Sequence, residues 1–173
     1  SNGNHNISSV ITFSDLHDII TISEIKNSND QIIFSGRFKK GINNKSNTIT
    51  KLLHILRKRN FFQNQKFRIN IKKNIPHGSG LGGGSSNAAD VLNFFNSKMF
   101  LKLNKKKINE MANQVGFDVP VCLEKKNSLI TGKKGTILRF KQKLKLNILI
   151  VYPNIVCSTK KIYRNNKQFT FLI

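Results

Sequence analysis

The first third of the chain sets apolar against polar positions in short alternating bursts. "NISSVITFSD", "DIITISEI" and "QIIFSG" are rich in β-branched residues and separated by Asn, Asp and Ser, the pattern of strands joined by turns. The period then changes. In "SNTITKLLHILRKRN", Ile49, Leu52, Leu53 and Leu56 fall at i, i+3, i+4 and i+7. That spacing predicts an amphipathic helix, with Ser46 or Asn47 as its N-cap and basic residues in its last turn. Alternation returns in "KFRINIKK", where Phe67, Ile69 and Ile71 share one face and Arg68, Asn70 and Lys72 the other. This strand leads into a glycine-rich loop.

Beyond the loop, "SSNAADVLNFFNSKMF" predicts a second helix with serine caps and Ala88, Leu92, Phe95 and Met99 along one face. A third starts at Lys105, capped by Asn104, with Ile108, Met111, Ala112 and Val115 as its stripe and Gly116 as its stop. "FDVPVCLE", "NSLITG", "GTILRF" and "KLNILIVYP" read as strands, and "STKKIYRNN" as a short helix capped by Ser158. The expected class is α/β (α+β), a mixed sheet with helices packed on it.

Composition narrows this picture modestly. At 173 residues with 38% hydrophobic and 9% aromatic residues, the chain can bury one core and part of another. No apolar run reaches the length of a membrane span, and "SNGNHNISS" lacks the basic-then-apolar order of a signal peptide. Two cysteines, Cys122 and Cys157, fit a reduced compartment and small core positions. The expected location is the cytoplasm, or a plastid in a eukaryote. The formal charge of +22 invites a nucleic-acid partner, yet the basic residues are scattered, with no Arg-rich helix and no zinc-finger spacing. Nonspecific anion binding is the expectation from charge alone.

The loop carries more. Gly78, Gly80, Gly82, Gly83 and Gly84 are five of the chain's 11 glycines, and each costs backbone entropy on folding. Strand, Pro76, glycine loop, Ser/Asn, helix is the order of a phosphate-binding turn: backbone N–H groups face inward and the helix N-terminus adds its positive end. Ser85 and Ser86 can cap that helix and hold phosphate oxygens or a Mg²⁺-bound water. The G-x-x-x-x-G-K-[ST] pattern fails for want of the Lys. Gly78-x-Gly80-x-x-Gly83 matches the dinucleotide fingerprint by letter, but no acid follows about twenty positions on. A protein-kinase glycine loop would lead into a strand.

"PHGSGLGGGSSNAA" resembles the phosphate loop of the GHMP small-molecule kinases. Two further stretches agree in order. "NGNHNISSVITFSDLHD" is similar to a segment that begins Asp-Gly-Tyr-His in the branch acting on 4-diphosphocytidyl-2-C-methyl-D-erythritol, with Asn4 in place of Tyr, and "VGFDVPVCL" is similar to that branch's Gly-Ala-Asp-Val-Pro. The resemblance implies a kinase that uses ATP and Mg²⁺ to phosphorylate the 2-hydroxyl of this cytidine diphospho-alcohol in non-mevalonate isoprenoid synthesis. The alternatives are another GHMP small-alcohol kinase, or an inactive nucleotide- or RNA-binding remnant.

Residue by residue, the resemblance implies that Pro76, His77, Gly78, Ser79, Gly80, Leu81, Gly82, Gly83, Gly84, Ser85 and Ser86 hold the ATP phosphates. Lys73 and Asn47 match positions that face the nucleotide base. Asp118 matches the catalytic aspartate, which takes or orients the proton of the attacking hydroxyl. His5 matches a cytosine-recognising histidine, and Tyr163 a ring stacked on the cytosine. No protein metal ligand is implied. Residues 1–150 would form the N-terminal, ATP-binding domain without its first strand, and 151–173 the start of a C-terminal one. The family's catalytic lysine lies upstream of Ser1, so the expectation is that this chain alone transfers phosphate poorly.

Overall fold

The computed structural model describes residues 7–99, 101–132, 135–141, 146–153 and 155. Six strands and four helices follow in the order β1 (Ile7–Ile11), β2 (Ile19–Ile25), β3 (Gln31–Ser35), α1 (Thr48–Lys58), β4 (Lys66–Lys72), α2 (Gly83–Lys98), α3 (Lys105–Val115), α4 (Val119–Cys122), β5 (Ser128–Gly132) and β6 (Thr136–Arg139). The expected mixed sheet is present, but the strands divide into two sheets of three. One has the order β1-β5-β6 and is antiparallel throughout; the other has the order β2-β4-β3. In the second, β4 runs antiparallel to β2 and parallel to β3.

The parallel pair positions the site. A parallel neighbour needs a crossover, supplied here by α1. Because β3 and β4 point the same way, with Ser35 opposite Lys72, the chain leaves both at the same end of the sheet. One exit leads to the N-terminus of α1, the other through the glycine loop to that of α2.

Local chemistry explains the elements. Asn47 caps α1, its Oδ1 accepting from the N–H groups of Ile49 (2.9 Å) and Thr50 (3.0 Å). Ile49, Leu52, Leu53 and Leu56 are buried, each contributing about 1.5–3 kcal/mol. At the other end Arg57 forks onto Asp30 at 2.7 and 2.9 Å, and Asp30 also accepts the Phe67 N–H (2.8 Å). Phe67, Ile69 and Ile71 of β4 are buried in the same core as Ala88, Ala89, Val91, Leu92 and Phe95 of α2. Phe67 and Phe95 rings lie 4.9 Å apart. Asn104 caps α3 through Lys107 N–H (2.9 Å), while Lys51 Nζ donates to the Val115 carbonyl at its end (2.9 Å).

Three sequence expectations are corrected. "FDVPVCLE" is a short helix, α4, rather than a strand: Pro120 sits in its first turn, where a missing N–H costs nothing, and Val119, Val121 and Cys122 are buried. "KLNILIVYP" forms no strand over 146–153; Leu149 is 87% exposed, and no described strand lies beside it to complete a ladder. The serines of "SSNAAD" do not cap α2, which begins at Gly83 with Gly82 as N-cap. The expected helix in "STKKIYRNN", the cysteine Cys157, and the candidates His5 and Tyr163 lie outside the described residues.

Candidate functional site

Two helix N-termini meet at the end of the β3–β4 pair. The Thr48 hydroxyl, in the first turn of α1, donates to the Gly84 carbonyl in the first turn of α2 at 2.9 Å. Neither first turn carries an acidic residue, so two positive dipole ends converge without a carboxylate of their own.

The helices differ in how their first N–H groups are satisfied. α1 and α3 have side-chain caps in Asn47 and Asn104; α2 has none, because Gly82 is its N-cap. The Ser86 N–H makes the first helical bond, to the Gly82 carbonyl at 2.9 Å, so the N–H groups of Gly83, Gly84 and Ser85 precede the ladder and have no intrahelical acceptor. An anion is the natural acceptor for such a set.

The loop shape follows from its glycines. Gly78, Gly80 and Gly82 adopt φ of +68°, +77° and +68°, a region other residues rarely visit. Their spacing turns alternate peptide planes, and Gly80, Leu81, Gly82 and Gly84 are exposed. Ser79 braces the turn from within: its Oγ donates to the Pro76 carbonyl (2.8 Å) and accepts from the Leu81 N–H (3.4 Å). Gly83 is needed for packing instead, since a Cβ there would stand 3.0 Å from Ile75 Cγ2. Pro76 is buried and His77 exposed.

Lys73 is placed differently from a solvated strand lysine. It is 4% exposed, and its ammonium forms an ion pair with Asp18, whose side chain has no exposed surface. Asp18 also accepts from the N–H groups of Asn74 (2.7 Å) and Ile75 (2.8 Å) and from Asn87 Nδ2 (2.9 Å). Burial pushes this carboxyl up, but the bonds from Lys73, Ile75 and Asn87 outweigh it and hold its pKa below the usual value. Sequence reasoning missed Asp18; the one signal was an acid immediately before an apolar strand.

Asn47 spends its side chain on the α1 cap and on the carbonyls of Asn43 (2.9 Å) and Asn44 (3.1 Å). Asp118 is exposed and is the N-cap residue of α4, but makes no side-chain cap bond there. α4 packs against α2. Asp118 and Asp90 also bear on Cys122, whose thiol is pushed up to about 11, first by burial and then by these two charges. A separate groove of about 680 Å³ is bordered by Lys105, Glu124 and Arg139 and by none of the loop residues; there a hydrogen bond from Lys126 outweighs burial and, with Arg139 and Lys105, holds Glu124 below its usual pKa. Among the described residues no group of three His, Cys, Asp or Glu is placed to hold a metal ion, and no helix is long and apolar enough to cross a membrane.

Comparison with known proteins gives a consistent set. Residues 47–126 match the family described as GHMP kinases N terminal domain. A protein of Pelagibacter ubique named 4-diphosphocytidyl-2-C-methyl-D-erythritol kinase is 44% identical over 166 residues, covering 96% of this chain and 58% of the relative. One of the same name from Caldanaerobacter subterraneus is 35% identical, covering 93% and 54%. The chain thus spans somewhat over half the length of these relatives. Among solved structures, a 4-(cytidine 5'-diphospho)-2C-methyl-D-erythritol kinase superposes with a TM-score of 0.67 at 23% identity, covering 94% of this chain and 56% of the other. A homoserine kinase from Cytophaga hutchinsonii gives 0.66 at 18%, covering 88% and 52%. At those identities the two structures speak for the fold.

Proposed function

Since the chain belongs to the GHMP kinases through their N-terminal domain, we propose that it serves ATP-dependent phosphorylation of the 2-hydroxyl of 4-diphosphocytidyl-2-C-methyl-D-erythritol, a step of isoprenoid synthesis. The observation that carries the proposal is the uncapped N-terminus of α2 behind the glycine loop, in a chain 44% identical to a relative of that name. Phosphoryl transfer asks a protein mainly to hold phosphates, neutralise charge and aim the hydroxyl. The N–H groups of Gly83, Gly84 and Ser85, with the turned peptides at Gly78, Gly80 and Gly82, fit the β- and γ-phosphates of a nucleotide. Hydroxyls of Ser85 and Ser86 stand in the same first turns and suit phosphate oxygens or the water shell of Mg²⁺. Mg²⁺ is usually held by substrate phosphates with one or two protein oxygens, and the serine hydroxyls beside the phosphates suit that arrangement.

Asp118 is the group we assign to the acceptor hydroxyl. Its carboxylate is exposed and not spent on capping α4, and α4 packs on the helix that opens at the phosphate loop. A carboxylate so placed can accept the hydroxyl proton as the oxygen attacks the γ-phosphorus. The test is Asp118→Asn in the full natural protein. We expect turnover of the cytidine substrate to fall at least a hundredfold while ATP affinity stays within about twofold. Unchanged turnover would remove Asp118 from the reaction. Failure of the unmodified protein to transfer phosphate to this alcohol would overturn the assigned substrate.

A further inference from the structure

The phosphate loop has little holding it in shape at its tip. Between Gly78 and Gly82 the internal bonds are those of Ser79, and glycine-rich backbone is intrinsically free to wander. Its geometry must be imposed at its roots. Both roots converge on one carboxylate.

Asp18 Oδ1 accepts the N–H groups of Asn74 and Ile75 at 2.7 and 2.8 Å, the two residues by which the chain passes from β4 into the loop. Asp18 Oδ2 takes the Lys73 ammonium and, at 2.9 Å, the amide of Asn87, one turn inside α2. The loop's start and the helix that follows it are therefore tied to opposite oxygens of one buried group. A second tie comes from the same segment, since Asn74 Nδ2 donates to the His17 carbonyl at 2.9 Å. From the β3 side the Lys73 N–H donates to the Ser35 carbonyl at 2.8 Å.

We propose that Asp18 is a positioning residue for nucleotide binding, setting the register between the loop and the N-terminus of α2 through Asn87 and the Asn74–Ile75 backbone. The proposal rests on the reading of the loop as a nucleotide site. Lys73 then acts as counterion to the latch. The carboxylate is the one side chain that fits: four donors need two oxygens with both lone pairs free. Asn in its place would turn an NH₂ toward donors and leave Lys73 buried without a countercharge. Phosphate-binding N–H groups must be held to within about 0.5 Å to work together, so a slack latch weakens nucleotide binding before it touches the acceptor site.

The experiment measures binding of a fluorescent ATP analogue, and KM for ATP and for the alcohol, in the full natural protein. The variants are Asp18→Asn, Asn87→Ala and, as a control for lost stability, Asn104→Ala, which removes only the α3 cap. All are measured where circular dichroism shows them folded. Expected is at least tenfold weaker nucleotide binding and a matching rise in KM for ATP in Asp18→Asn and Asn87→Ala, with KM for the alcohol unchanged and the control like wild type. Should Asp18→Asn fail to fold, Asn87→Ala, which leaves the ion pair intact, decides. Wild-type affinity in folded Asn87→Ala, or equal rises in both KM values, overturns the latch. A wild-type protein that binds no nucleotide overturns the site reading, and the latch with it.

Discussion

Gly36 offers a direct test of how tightly the root of the loop is built. It leaves β3 at φ +87°, and a Cβ added there would lie 2.7 Å from the Lys73 carbonyl oxygen and 2.9 Å from the Lys73 nitrogen. Both are backbone atoms, and Lys73 is already pinned by its N–H bond to Ser35 (2.8 Å). Neither side can swing away as a flexible side chain could. Gly36→Ala therefore incurs about 1–2 kcal/mol for a positive φ and about 1–3 kcal/mol for forcing backbone apart, together roughly 2–5 kcal/mol. Gly80→Ala is the matched control. Its φ is +77°, yet an added Cβ would meet nothing within 4 Å, so only the conformational cost applies. The entropy that any Gly→Ala change removes from the unfolded chain is common to both and cancels in the comparison. Urea unfolding followed by circular dichroism should place Gly36→Ala about 1–3 kcal/mol below Gly80→Ala. In a thermal melt the Gly36 variant should lose roughly 5–15 °C against wild type. Equal losses in the two variants, within about 0.5 kcal/mol, the ordinary scatter of surface substitutions, would refute the claim that close backbone approach makes this glycine necessary.

Two further outcomes follow from the buried titratable groups. Asp18 has a folded pKa below its ordinary 3.8, so the folded state binds fewer protons than the unfolded one. Its contribution is complete above about pH 5 and is lost as pH falls through 3.8 and on through the lower folded value; the urea midpoint should drop in acid, with a flatter slope in Asp18→Asn, and equal slopes would contradict this. Cys122, its thiol pushed up to about 11 by burial, should hold about one thiolate in ten thousand at pH 7. In a Cys157→Ser background a thiol reagent should therefore label it slowly in buffer and rapidly in urea, and equal rates would show the site to be open.

Much of the framework was legible along the chain because it depends on near neighbours. The stripe of Ile49, Leu52, Leu53 and Leu56, the caps Asn47 and Asn104, and the alternation of Phe67, Ile69 and Ile71 all rest on contacts within a turn or a strand, and all have the expected structure. The order of strand, glycine loop and helix is local in the same sense. "FDVPVCLE" misled because four buried residues in a row suit a strand or a short helix equally; Pro120 in the first turn and packing on α2 favour the helix. The capping role read into Ser85 and Ser86 failed because the helix starts two residues earlier, where Gly82 in a left-handed conformation closes the loop.

By itself, then, the sequence determined that an amphipathic helix, an alternating strand and a phosphate-type turn follow one another, and which faces they bury, since hydrophobic period and capping act over a few residues. Tertiary structure alone decided that β3 and β4 run parallel, which brings two helix N-termini to one end of the sheet, and that Lys73 meets Asp18 across 55 residues of chain. Pairing of that kind depends on which strands become neighbours, and a buried charge must find its partner wherever the fold delivers one. No local pattern carries that information.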